Sequence, residues 1–151
     1  MLGMCRVFGI AVAQPPQTAL LQSLQLAGHS LTGKFTQAEQ DWVLADLAPE
    51  HGDWAVQIDC YRRHEEGIRA SLNTWAAWLE TMETNANHLW LMQHMISTEQ
   101  LYTLSPTGAE RPEAEDLCVA ACRFLAQETA GVYQIDGQGF FGADGRLLLA
   151  E

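Results

Sequence analysis

The stretch Ile135–Gly145, IDGQGFFGADG, decides between two folds, because Gly137, Gly139 and Gly142 have the spacing of a dinucleotide-binding loop. Such a loop opens a helix whose N-terminus holds the pyrophosphate, and an acidic residue follows about 20 positions later. The residues after Gly142, ADGRLLLAE, predict a turn and a strand instead. We therefore predict a C-terminal β-hairpin, in which the first two glycines permit a sharp bend after Asp136.

The rest of the sequence is typical of one folded domain. Its 151 residues are 48% hydrophobic and 18% charged, and they include five tryptophans, which is too many for a disordered chain. A chain of this length buries one core. We predict a single globular domain over residues 1–151.

Four segments have helical patterns. The strongest, Glu65–Met82, places Ile68, Leu72, Trp75 and Leu79 on one face. A second rests on the capping-box pattern Thr36-Gln-Ala-Glu39, in which the hydroxyl and the carboxylate bind free amides at a helix start. The predicted helices are Gln17–Ala27, Gln37–Leu47, Glu65–Met82 and a segment from Glu113 to Thr129.

The strand patterns complete the predicted fold. Trp54–Tyr61 alternates apolar and polar residues, and His88–Ile96 is apolar on both faces, as in a central strand. The predicted strands are Val7–Val12, Trp54–Tyr61, His88–Ile96 with a short continuation or hairpin partner at Leu101–Leu104, Val132–Ile135 and Arg146–Ala150. We predict an α+β fold, with three to four amphipathic helices packed on a mixed or antiparallel sheet of about five strands.

The charge of the chain limits its partners. Nineteen acidic residues against eight basic ones give a formal net charge of −11, which argues against nucleic acid and would attract a basic protein, although solubility alone also explains it. The apolar run after Arg6 is too short for a signal peptide, and no run approaches the roughly 20 residues that span a membrane. We expect no membrane association and a cytoplasmic location.

The four cysteines predict neither a disulfide framework nor a metal site. Cys5, Cys60, Cys118 and Cys122 lie in apolar segments, as buried and reduced thiols do. The pair at 118 and 122 lacks the Cys-x-x-Cys spacing and the further ligands typical of structural zinc. We predict no metal and no cofactor.

Four polar residues are candidates for a catalytic or ligand-binding cleft at the strand ends. The motif Gln-Ile-Asp occurs at two predicted strands: Asp59 lies within Trp54–Tyr61, and Asp136 directly follows Val132–Ile135. Arg62 follows the first of these strands. His94 is a candidate general base if a carboxylate sets its pKa; the alternative is a structural histidine with a satisfied hydrogen bond. Arg62, Arg63 and Arg69 together could hold a carboxylate or phosphate, or could pair with neighbouring acidic residues.

The sequence contains no familiar catalytic motif. The leading hypothesis is therefore a non-enzymatic, acidic protein-binding domain of the inhibitor or adaptor kind, with Trp78, Arg62 and Arg63 as candidate partner contacts. The second hypothesis is a small enzyme or ligand-binding protein that uses Asp59, Arg62, His94 and Asp136. A third is a self-associating subunit, such as a homodimer.

Overall fold

In the computed structural model, which describes residues 3–151, the chain forms eight strands and four helices. The strands are β1 (Cys5–Gly9), β2 (Leu31–Ala38), β3 (Asp41–Pro49), β4 (Trp54–Arg62), β5 (Gln100–Gly108), β6 (Val132–Ile135), β7 (Gly139–Gly142) and β8 (Leu147–Ala150). The helices are α1 (Gln17–Leu26), α2 (Ile68–Glu80), α3 (His88–Ile96) and α4 (Pro112–Glu128). The α+β prediction is confirmed, but about five strands is too few.

All eight strands form one sheet in the order β2-β3-β4-β5-β1-β6-β7-β8, and every neighbouring pair is antiparallel. The first strand therefore lies in the interior of the sheet, between β5 and β6. This order brings the loop after β1 close to residues that are far away in sequence. The cleft described below depends on that proximity.

Helices cover both faces of the sheet, and each face has its own core. On one face α4 and α1 pack over Val7, Val56, Ile58 and Leu104. On the other face α2 and α3 pack over Phe8, Leu101, Phe140 and further apolar side chains. Alternate residues of β1 thus belong to different cores, as the pleat of a strand requires.

The predicted helix Gln37–Leu47 is wrong: this segment ends β2, makes a turn and forms most of β3. Ala45 and Leu47 alternate into the core with no exposed fraction, and Trp42 packs edge-on against Phe35 of the neighbouring strand at 5.4 Å. Glu39, the last residue of the capping-box pattern, instead stands in the turn with a φ of 59°. Packing across the hairpin outweighs the local capping preference.

The predicted strand His88–Ile96 is also wrong, because the segment is helix α3. Its buried side chains, His88, Leu91, His94 and Met95, have the spacing of one helix face. The opposite face keeps large apolar side chains in solvent, with Leu89 73% and Trp90 53% exposed. That exposure removes the amphipathic contrast from which a helix is predicted.

The C-terminal hairpin prediction is confirmed and extended. The segment forms a three-stranded meander, in which β7 pairs with β6 and with β8. Gly137 and Gly139 have φ values of 81° and 131°, and Gly145 in the second turn has a φ of 86°. Three of the four glycines of Ile135–Gly145 therefore serve the backbone geometry of two turns.

All four cysteines are buried free thiols, as the sequence predicts. Cys5 of β1 lies against Cys118 and Cys122 of α4, so three thiols share one apolar site between sheet and helix. Burial raises the pKa of the Cys122 thiol well above its ordinary value. Among residues 3–151, no group of three or more His, Cys, Asp or Glu side chains is arranged to hold a metal ion.

Candidate functional site

A cleft with a volume of about 1040 Å³ opens at one end of strands β1 to β5. Four segments form its walls: the loop from β1 to α1, the turn between β2 and β3, the end of β4 with the loop that follows it, and the residue before β5. The lining residues are Val12, Ala13, Gln14, Pro15, Pro16, Gln17, Gln37, Ala38, Glu39, Gln40, Asp41, Trp42, Val43, Cys60, Arg62, His64, Glu65 and Glu99.

Side-chain hydrogen bonds fix the first wall against the sheet. The amide of Gln14 donates to the Trp42 carbonyl at 2.8 Å and accepts from the Trp42 N–H at 3.1 Å, as a paired strand would. The Trp42 indole N–H donates to the Pro15 carbonyl at 3.0 Å. On the other side, the Gln100 amide donates to the carbonyls of Ala11 and Ala13 at 2.6 and 3.0 Å. The loop is therefore a preformed wall.

Arg62 joins three walls of the cleft. Its Nε donates to Asp41 at 2.9 Å, its Nη1 donates to the Val12 carbonyl at 2.6 Å, and its backbone N–H donates to the Glu65 carboxylate. The side chain is only 16% exposed. Arg62 was predicted from the sequence as a site residue, and the structure places it in the cleft with its charge already matched by Asp41.

The cleft carries an excess of negative charge. Four of its lining residues are acidic, Glu39, Asp41, Glu65 and Glu99, and only one, Arg62, is a lysine or arginine. With His64 neutral, the lining sums to a charge of −3. Glu39 is exposed, and Glu99 makes only a 3.6 Å ion pair with Arg63, so negative potential is available to a ligand.

The thiol in the cleft is a poor nucleophile. Burial raises the pKa of Cys60 to about 11, because the thiolate would lose its hydration. Burial likewise raises the pKa of the neighbouring Tyr102 hydroxyl, which donates to Gln100 at 2.5 Å. At neutral pH both groups are protonated, so they support the floor of the cleft and do not attack a substrate.

Cys60 of β4 lines the cleft together with Arg62. Asp59 and Asp136 lie on the opposite face of the sheet from Cys60. Asp59 is opposite Thr103, Thr103 is opposite Arg6, and Arg6 is opposite Gln134, so three strand spacings of about 4.8 Å separate the two Gln-Ile-Asp motifs. Asp136 instead pairs with Arg6 at 2.7 Å. Burial opposes ionisation, but hydrogen bonds from Gln134 and Arg6 together outweigh it and lower the pKa of Asp136.

His94 lies on α3, and its ring hydrogen-bonds to neither Asp59 nor Asp136. It is 6% exposed, and its Nε2 hydrogen-bonds to the Phe8 carbonyl at 2.8 Å. Its ring contacts that of Trp90, with centroids 5.1 Å apart. Burial lowers the pKa of His94, and the hydrogen bond to Phe8 opposes this only in part. The structure therefore does not gather Asp59, Arg62, His94 and Asp136 into one cleft.

The environment of His94 predicts a pH effect on stability. Its pKa is lower in the folded state than the ordinary value of about 6.5, so below that pH the unfolded chain binds a proton that the folded protein does not. The free energy of unfolding should therefore fall as the pH decreases through about 6.5 and level off below the folded pKa. Urea denaturation of wild type and His94→Gln at a series of pH values measures this.

His94→Gln keeps a side-chain N–H for the Phe8 carbonyl but does not titrate, so this part of the pH dependence should disappear. The matched control is His51→Gln, because His51 is exposed and its loss should leave the dependence in place. Identical pH profiles for wild type and His94→Gln would contradict the assignment.

Two candidate partner contacts, Trp78 and Arg63, lie outside the cleft. Trp78 packs against Trp75 at 5.3 Å and Phe140 at 6.3 Å, so it belongs to the core under α2. Arg63 lines a separate, smaller cavity. The strongly exposed tryptophan is Trp90, for which the strand prediction implied an inward face.

Comparison with protein-family models, curated proteins and solved structures finds no match for this chain. Within residues 3–151, none of the helices is both long and apolar enough to cross a membrane.

Proposed function

We propose that this protein binds another protein, by accepting a basic segment of that partner in the acidic cleft. The observation that carries the proposal is the charge of the cleft, where four carboxylates face one guanidinium that Asp41 already neutralises. A segment with Lys or Arg side chains matches this charge, and the wider net charge of −11 attracts it from a distance.

The size and lining of the cleft fit a peptide segment. Its volume of about 1040 Å³ is at the upper end of the range for small-molecule pockets. Apolar side chains lie among the carboxylates, and one of them, Val12, is 71% exposed. A segment that alternates basic and apolar residues therefore finds contacts for both kinds of side chain.

The hydrogen bonds of Gln14, Arg62 and Gln100 hold the walls in place before any partner arrives. A preformed site loses less conformational entropy on binding than a flexible one. Self-association, a cytoplasmic location and the absence of a nucleic-acid partner stay predictions from the sequence. The second hypothesis, a small enzyme, needs Asp59, Arg62, His94 and Asp136 in one cleft. Because these four residues lie apart, we propose no reaction.

The test uses two labelled peptides of equal length, one alternating Arg with Leu and one with Gln in place of Arg. Fluorescence anisotropy measures their binding to wild type and to Glu39→Gln/Glu65→Gln, in which the new amide at position 65 still offers an oxygen to the Arg62 N–H. We expect wild type to bind the Arg peptide more tightly than the Gln peptide. The double variant should bind the Arg peptide about tenfold more weakly than wild type does, as two lost charge pairs imply.

The matched control is Glu113→Gln/Glu128→Gln, which removes the same charge from exposed positions at the two ends of α4. It should stay within about twofold of wild type. Trp90→Ser tests the exposed face of α3 and should not change the affinity. Equal binding of the two peptides, or an equal loss in the control, would refute a cleft site.

A further inference from the structure

A second cavity of about 290 Å³ lies beside α2, and it is lined by Arg63, Arg69, Leu72, Asn73 and Ile96. The lining comes from the loop after β4, the first two turns of α2 and the end of α3. None of these residues lines the acidic cleft. In a protein of net charge −11, this cavity is lined by two arginines and no carboxylate.

The two guanidinium groups have unused hydrogen-bonding capacity. The Nε of Arg63 is buried and has no hydrogen-bond partner in the described part of the chain. Its Nη1 lies 3.6 Å from Glu99, a looser pair than the 2.7 Å pair of Arg6 and Asp136. Arg69 forms no ion pair within residues 3–151. Buried donors are normally satisfied, so the Arg63 guanidinium lacks one of its usual acceptors within the described chain.

Helix α2 adds to the positive potential. Arg69 and Asn73 are one helical turn apart, near the N-terminus of a 13-residue helix. The first turn of α2 contains no acidic residue, and no side chain caps it. Within α2 itself no carboxylate offsets the positive end of the helix dipole; Glu65 and Glu66 precede the N-cap residue Gly67.

We propose that this cavity binds a small phosphate-bearing anion. Guanidinium groups match the oxygens of phosphate in a bidentate manner, and the Asn73 amide can donate to a further oxygen. The cavity is at the lower end of small-molecule sites in volume, which suits inorganic phosphate or a small phosphate monoester and is too small for a nucleotide.

Glu99 is the internal competitor of this anion, because its carboxylate already attracts Arg63. Neutralising it should therefore strengthen phosphate binding, whereas a merely structural Arg63–Glu99 pair predicts no such gain. We expect about threefold tighter binding in Glu99→Gln.

The experiment is a titration of the full chain with inorganic phosphate at constant ionic strength, followed by NMR at the arginine Nε–H signals. The expected result is a saturable shift of the Arg63 signal. Arg69→Gln should weaken binding about tenfold, as loss of one charge-assisted contact implies. Because Arg69 is exposed and makes no ion pair within residues 3–151, this variant should fold normally. Arg146→Gln, an exposed control with the same charge change, should stay within about twofold.

A linear, unsaturated shift that all arginines share would overturn the site, and so would equal weakening in Arg146→Gln. Acetate, titrated in parallel, should bind more weakly because it offers two oxygens and one charge; equal binding would refute the choice of phosphate. Neither result bears on the acidic cleft, which the peptide experiment tests separately.

Discussion

Replacing Phe8 with alanine is expected to lower the free energy of unfolding by about 3–5 kcal/mol. Phe8 lies on β1 in the interior of the sheet and has no exposed fraction. Its ring contacts those of Trp75 at 5.6 Å and Phe140 at 6.4 Å, so truncation leaves a cavity between sheet and helix α2. Urea denaturation monitored by circular dichroism measures the loss.

The comparison variant is Phe35→Ala. Phe35 is half-buried on β2, at the edge of the sheet, so its removal should cost clearly less than that of Phe8. The packing implies that the core under α2 and α3 depends on Phe8. Equal losses of stability for the two variants would contradict this.

Replacing Gly139 with alanine is expected to cost about 3 kcal/mol or more. Gly139 has a φ of 131°, a conformation open essentially to glycine alone, and an added Cβ would overlap the Leu149 carbonyl oxygen on β8. The meander must open at this point to admit a methyl group. Thermal and urea unfolding of the variant measure the effect.

Gly137 provides a matched control in the same turn. Its φ of 81° is also left-handed, but an added Cβ there meets no atom within 4 Å. Gly137→Ala should therefore cost only the backbone strain of about 1–2 kcal/mol. A loss in Gly137→Ala as large as that in Gly139→Ala would contradict the role of the close approach to β8.

The fold was predictable where one local pattern dominates. The alternation in Trp54–Tyr61 and the apolar stripe of α2 agree with their burial in the structure, and the turn glycines predict the C-terminal strands. The prediction failed where tertiary packing overrides a local signal. The capping-box pattern at Thr36 gives way to cross-strand packing of Trp42, and α3 keeps apolar side chains on its exposed face.

The candidate site was less predictable than the fold. Arg62 stood out as a positive residue after a clear strand, but its partners Asp41 and Val12 are 21 and 50 positions away. Only the order of strands in the sheet brings these segments together. Asp59 and Asp136 share a motif and a sheet face, yet β5 and β1 lie between their strands.

The most direct test of the acidic cleft is hydrogen exchange of the full chain with and without a saturating amount of the Arg–Leu peptide. A cleft site predicts slower exchange in three of its four wall segments, at residues 12–14, 37–43 and 62–65, with no change on α3. Protection confined to the exposed face of α3, or no protection in those three segments, would contradict it.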